Sequence, residues 1–332
     1  MNYRKSEAKA ASFEQFRGVW AAIATPFTPD DTLDEPGLRR NMRHMTDALQ
    51  IDGIFCAGTM GEFWALTKEE RKRVVEIVVE EARGKCKVIA HTGHHSPNET
   101  IDLTRHAQDV GADFAIVINP YYPTAGEDAI YEWFKVVASR VEIGIWMFDT
   151  AYAYGDALSP RLTARIADIE NVCGIKIGRP VDHYVAVKAL CGDRIVVSHP
   201  SEADCLMLMR EHGQKVHMSS AAPFLLQTAD WKPMREYVEL ALEGRFAEAQ
   251  KVSDAMQSVR EILEKWMRDP WHQHKVIAIA QLKAWSDYLG LAGGPVRAPL
   301  LALSAHDRAA LYRELDEVGL KEKRGASAPA VA

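Results

Sequence analysis

Eight short apolar runs, each followed by an amphipathic stretch, constrain this chain more than any other feature. They lie at residues 19–25, 53–57, 87–91, 114–118, 143–148, 172–177, 194–198 and 215–219. Most are continuously apolar rather than alternating, as strands of a parallel sheet covered on both faces must be. The segments between them carry helix starts. Thr67 with Glu70 and Ser96 with Glu99 read as capping boxes, Ser159-Pro160 opens a third helix, and Ser201 with Asp204 opens a fourth that stops at Gly213. Leu38, Met42, Met45 and Leu49 recur at helical spacing in the first unit. Eight strands with interleaved helices predict an α/β chain folded as a (β/α)8 TIM barrel. A doubly wound sheet would more often carry a glycine-rich turn after strand one, where this chain has Thr25-Pro26-Phe27.

Beyond Trp231 the strand signal stops, and helical patterning at 234–242, 246–266, 274–289 and 305–318 predicts a C-terminal helical extension. The expected organisation is a polar segment at 1–17, the barrel at 18–230, the extension at 231–320 and a disordered tail at 321–332.

The 332 residues include 40 Lys plus Arg against 46 Asp plus Glu, a formal charge of -6 that offers no basic field for nucleic acid or anionic membrane. No apolar run approaches the roughly 18 residues of a membrane span. Five cysteines with no CxxC pair indicate neither a disulfide framework nor a thiolate zinc site. A cytoplasmic protein is expected.

In a barrel the chemistry sits at the C-terminal ends of the strands. Strand six reads Val172-Cys173-Gly174-Ile175-Lys176-Ile177, with one lysine in an apolar run. Desolvation there favours a neutral, nucleophilic amine suited to a Schiff base, although a strand-end lysine can also snorkel to water or pair with an acid. Strand two ends in Gly58-Thr59-Met60-Gly61-Glu62, whose glycines and Thr59 donors suit a carboxylate or, alternatively, a capped tight turn. Strand four ends in Asn119-Pro120-Tyr121-Tyr122-Pro123, phenols placed for proton transfer or for packing. His91, His94, His95 and His199 follow strands three and seven without a carboxylate at ligand spacing. They read as a polar rim rather than a metal site, and His272 and His274 read as surface.

Together these strings resemble the dihydrodipicolinate synthase and N-acetylneuraminate lyase family of Schiff-base class I aldolases. The resemblance runs from Thr25-Pro26-Phe27 through the GTMGE string at 58–62, the PYY string at 120–122 and the GIK string at 174–176 to Gly293-Gly294-Pro295-Val296-Arg297-Ala298-Pro299-Leu300. It implies a barrel with a helical extension, a homotetramer built as a dimer of dimers, and no cofactor or metal. By resemblance, Lys176 attacks the keto carbon of pyruvate or a longer 2-oxo acid. Thr59 binds the carboxylate, with Gly58 and Met60 beside it, and Tyr122 reaches a neighbouring subunit's site in a proton relay.

The sequence also departs from the family. Its principal acid/base tyrosine falls at Phe148, which cannot transfer a proton. Tyr152 and Tyr154 are the nearest substitutes, with Tyr122, Thr59, a water or the substrate carboxylate as alternatives. The arginine that holds the aldehyde's carboxylate in dihydrodipicolinate synthases is Ala153, which argues against aspartate semialdehyde as second substrate. Trp20, Phe63, Trp64, Trp146 and Phe148 near strand ends suggest an apolar or aromatic partner, unless they form core. His199 or Glu202 is placed to meet the substrate's distal end. The expected activity is aldol cleavage, hydratase-aldolase or condensation chemistry on a 2-oxo acid, with an aldehyde as possible second partner. A 2-oxo acid dehydratase is the second choice. The third, prompted by Phe148, is a non-catalytic 2-oxo acid sensor.

Overall fold

The computed structural model describes residues 1–122, 126–152, 158–218 and 220–323. Among these residues eight parallel strands form one sheet: β1 (Gly18–Ala22), β2 (Gly53–Cys56), β3 (Lys87–His91), β4 (Phe114–Ile118), β5 (Gly144–Thr150), β6 (Val172–Gly178), β7 (Val196–Ser198) and β8 (Val216–Met218). Their order is β7-β6-β5-β4-β3-β2-β1-β8. The sheet curls until Ser198 Oγ on β7 donates to Val216 O on β8 at 3.5 Å, so the barrel is nearly closed. Seven helices alternate with the strands: α2 (Glu35–Arg43), α3 (Lys68–Ala82), α4 (Pro97–Val110), α5 (Glu127–Ser139), α6 (Pro160–Ile166), α7 (Val181–Cys191) and α8 (Glu202–His212), and the short α9 (Ala222–Leu225) follows β8.

The helix starts form as their chemistry dictates. Thr67 Oγ1 accepts from Glu70 N at 3.1 Å while Glu70 Oε2 accepts from Thr67 N at 2.9 Å, a complete capping box. At α4 only half of the expected box forms. Ser96 Oγ accepts from Glu99 N, but the Glu99 carboxylate pairs with Lys68 at 2.8 Å, because a neighbouring helix offers it a full charge.

The barrel interior explains two tryptophans expected near the site. Trp20 on β1 and Trp146 on β5 are fully buried low in the barrel, their ring centroids 4.1 Å and 4.0 Å from that of Phe16. A Cβ on Gly53 would come within 2.1 Å of the Trp20 ring, and one on Gly174 within 2.1 Å of the Trp146 ring. Large rings on one strand thus fill the space left by glycines on the next. Trp20 and Trp146 therefore do not meet a substrate, and the expectation that they would is corrected. Apolar character marked them for the interior but said nothing about which end of the barrel they fill. The N-terminal segment seals that end: α1 (Ala8–Gln15) buries Ala8, Ala11 and Ser12, and Ser12 Oγ accepts from Trp146 Nε1 at 3.1 Å.

The C-terminal extension comprises α10 (Pro233–Leu242), α11 (Phe246–Asp254), α12 (Gln257–Leu263), α13 (Asp269–His274), α14 (Ile279–Tyr288) and α15 (Ala305–Glu317). The single helix expected over 246–266 breaks after Asp254, where Ser253 O accepts from both Met256 N and the Arg260 guanidinium. Arg260 is held there by the buried Glu202 at 2.7 Å, which ties the extension to α8. Glu202 is thereby committed to structure. A π-helical stretch, Glu264–Arg268, carries α12 directly into α13, where Pro270 occupies the first turn. Of the expected tail, residues 324–332 lie outside the described residues.

Three of the family-like strings meet in one lock. Glu62, at the end of GTMGE, pairs with Lys283 of α14 at 2.5 Å with both side chains buried. Glu62 also accepts from Arg297 N at 2.9 Å, and the Arg297 guanidinium lies 4.0 Å from the centre of the Phe27 ring. Gly294, at φ +71, passes so close that a Cβ would lie 2.4 Å from Phe27 O. These strings seat the extension on the barrel, which accounts for their composition without any catalytic role for Glu62.

Candidate active site

Lys176 points into the barrel near the C-terminal end of β6, opposite Phe148 on β5 and Ser198 on β7. Its Nζ lies 4.6 Å from the centre of the Phe55 ring and 5.3 Å from that of Phe148. Only 6% of the residue is exposed, and burial pulls the amine from its ordinary 10.5 down to about 7. At neutral pH a large share of the amine is therefore an unprotonated nucleophile.

The turn after β2 approaches the same space. Ala57 sits at φ +52, and its carbonyl contacts His91 Nδ1 at 3.1 Å. A Cβ on Gly58 would lie 2.5 Å from the Phe55 ring, so glycine lets the turn pass over the ring that faces the amine. Thr59 follows, buried, in a 3-10 turn, and Thr25 Oγ1 donates to Gly61 O at 2.9 Å to hold that turn against the segment that leaves β1. Lys176, Thr59, Met60, Phe148 and His199 line one cavity of about 460 Å³.

The other expected site residues are distributed unevenly. Tyr152 lines this cavity, its ring edge-to-face on Trp271 at 4.7 Å, and burial raises its phenol above the usual range, so it stays protonated. Tyr122 is 77% exposed and faces an adjoining apolar groove beside Trp64 and Leu301, outside the Lys176 cavity of its own chain. Tyr154 and Ala153 lie outside the described residues. Phe63 and Trp64 line the groove rather than the Lys176 cavity. His199 has both ring nitrogens engaged: Nε2 lies 2.8 Å from Arg179 O and Nδ1 accepts from Ser201 N at 3.3 Å. Burial lowers its pKa, so it stays neutral. His91 is buried against Phe63 at 4.5 Å, and its pKa is also driven down by burial, assisted by Arg71. Among the described residues no group of three or more His, Cys, Asp or Glu could hold a metal, and no helix is long and apolar enough to cross a membrane.

A sequence model of the dihydrodipicolinate synthetase family matches residues 15–318 of this chain. The chain belongs to that family. It is 33% identical over 89% of its length, and 95% of the relative's, to 4-hydroxy-tetrahydrodipicolinate synthase of Methanothrix thermoacetophila. The dihydrodipicolinate synthase structure from Aquifex aeolicus superimposes with a TM-score of 0.80 at 28% identity, covering 92% of this chain and 99% of that one. The chloride-inhibited dihydrodipicolinate synthase of Acinetobacter baumannii, solved with pyruvate, gives 0.79 at 25% identity over 92% and 99%. As a member of the dihydrodipicolinate synthetase family the chain is a lyase of the class I aldolase type.

The structure of this family member also reveals cavity residues that strand-end reasoning did not reach. Arg179, one residue past β6, lines the cavity, and its Nε donates to Asp149 Oδ1 at 2.7 Å. Asp149 is wholly buried behind Phe148, with His183 Nε2 3.5 Å from its other oxygen. Leu263, Met267, Arg268 and Trp271 come from the extension, which folds over the barrel mouth. Arg179 had a signal, being three residues after Lys176. The others had none, because nothing local says that residues 263–271 cover the strands' ends.

Proposed function

We propose that this lyase acts on pyruvate or a longer 2-oxo acid through an imine at Lys176. The observation that carries the reading is the Lys176 amine, buried, depressed to about 7 and aimed into a cavity that Thr59 also lines. The neutral amine adds to the keto carbon, water leaves, and the protonated C=N draws electrons from the adjoining carbon. The resulting enamine is common to aldol cleavage, condensation and dehydration. Release of pyruvate by aldol cleavage or by a hydratase-aldolase reaction is the first choice, and dehydration of a 2-oxo acid the second. Thr59, beside Gly58 and Met60, takes the substrate carboxylate. Tyr152 is the surrogate acid within the chain, protonated and on the cavity wall. Tyr122, exposed on an apolar groove, serves a neighbouring copy's site, which supports a dimer as the working unit of a tetramer. The protein is placed in the cytoplasm.

Phe148 at the position expected of a tyrosine favours one other reading, a sensor that binds a 2-oxo acid without turnover. Exchange of pyruvate's methyl protons with solvent separates the two. An enzyme exchanges them and loses the exchange in Lys176→Ala, whereas absence of exchange in the wild-type protein supports the sensor.

A further inference from the structure

The cavity above Lys176 is larger than a three-carbon acid fills, and at about 460 Å³ it lies within the range of roughly 300–1,000 Å³ typical of small-molecule sites. Its inner end, at Lys176 and Thr59, belongs to the reading above. Its outer end is built differently. Leu263, Met267 and Trp271 from the extension stand beside Tyr152 from the barrel, and the two rings meet at 84° to form a flat-walled corner. Such walls favour planar apolar groups, which stack or pack edge to face.

Two arginines line the same cavity. Arg179 is held through Nε by the buried Asp149, a brace that sets the guanidinium plane before any ligand arrives. Arg268 reaches in from the extension, with Nη2 donating to Ser201 Oγ at 3.3 Å and Nε 3.4 Å from the partly exposed Glu264. Asp204 is the one carboxylate on the described wall of this cavity. His199 adds no charge, since burial keeps it neutral. Two forked cations from separate elements, one rigidly braced, suit a planar anion such as a carboxylate.

We propose that the outer half of this cavity is a subsite for a carboxylate carried on a flat aryl body, with Arg179 and Arg268 taking the carboxylate and Trp271 and Tyr152 the ring. Resting on the Lys176 reading, this names the far end of the substrate: an aryl aldehyde bearing a carboxylate, or the 2-oxo acid that releases one.

The test is calorimetric titration of the full chain with unreactive analogues, benzyl alcohol and the three (hydroxymethyl)benzoates, which need no imine to bind. The best benzoate isomer should bind at least ten-fold more tightly than benzyl alcohol. Arg268→Gln should erase most of that margin while leaving benzyl alcohol unchanged, and Trp271→Ala should weaken both ligands. Arg179→Gln is the second anion variant, less suited to first use because it leaves Asp149 buried without its partner. Circular dichroism confirms folding in each case. Equal binding of charged and uncharged ligands, or a margin that survives in both arginine variants, overturns the subsite. Borohydride trapping with pyruvate, run separately on the wild-type protein, reports on the imine alone, so failure of the subsite and failure of the Lys176 reading give different results.

Discussion

Phe148 and Lys176 are directly opposite one another across the β5–β6 pair, with the amine 5.3 Å from the centre of the phenyl ring. A ring at that distance shapes the space around the amine and contributes to its desolvation, but has no proton to give. Phe148→Tyr places a hydroxyl at the edge of the space the imine would occupy. Exchange of pyruvate methyl protons should rise about ten-fold or more in this variant, at the lower end of or below the roughly 10²–10⁴ that a positioned acid or base contributes. An unchanged rate would mean that another group already performs the transfer without limitation.

Among the described residues Tyr152 is the phenol on the cavity wall within the same chain, and its raised pKa keeps the proton in place. Tyr152→Phe should lower exchange about ten-fold or more while leaving the fold intact, because the ring contact with Trp271 survives the loss of the hydroxyl. Wild-type exchange in Tyr152→Phe would remove this residue from the mechanism.

The depressed Lys176 pKa is also a statement about stability. In the unfolded chain a lysine holds its proton up to about 10.4, whereas in the fold the proton is lost near 7. Between those values the unfolded chain binds a proton that the native state does not, so the wild-type protein gains stability as pH rises through this window. Lys176→Met should therefore be more stable than wild type at pH 7, by about 1–3 kcal/mol in denaturant titrations, with the difference shrinking towards pH 10. A variant less stable than wild type at pH 7 would contradict a desolvated amine.

The buried Glu62–Lys283 pair makes the opposite demand. Removing one partner leaves an uncompensated buried charge, so Glu62→Gln or Lys283→Met should each cost about 3–5 kcal/mol, while Glu62→Gln combined with Lys283→Met costs much less than the sum of the single changes. Equilibrium unfolding of the four proteins reads this directly. Additive losses would show that the two side chains act independently.

Much of this molecule was legible in order along the chain. The eight strands follow from continuous apolar runs, and Lys176 stood out because an ammonium inside such a run has to be explained. Thr59 was legible because two glycines and a hydroxyl after a strand describe a close-approach turn. What was not legible depends on distant partners. Trp20 and Trp146 looked like site residues until Gly53, Gly174 and Phe16 showed them filling the opposite end of the barrel. Glu62 belonged to the most site-like string, yet its partner Lys283 lies far along the chain on α14. Arg268 and Trp271 have no local signature, since their role depends on the extension folding over the barrel mouth.

The imine proposed at Lys176 is open to direct chemical trapping. The most direct measurement is the intact mass of the protein after incubation with pyruvate and borohydride, followed by peptide mapping, with Lys176→Ala alongside and the reaction repeated from pH 5.5 to 9. An imine at Lys176 requires a single reduced pyruvyl adduct confined to that residue and absent from the variant, with an initial trapping rate that rises through a midpoint near 7. No adduct with pyruvate or with longer 2-oxo acids, or an adduct that persists in Lys176→Ala, would contradict it.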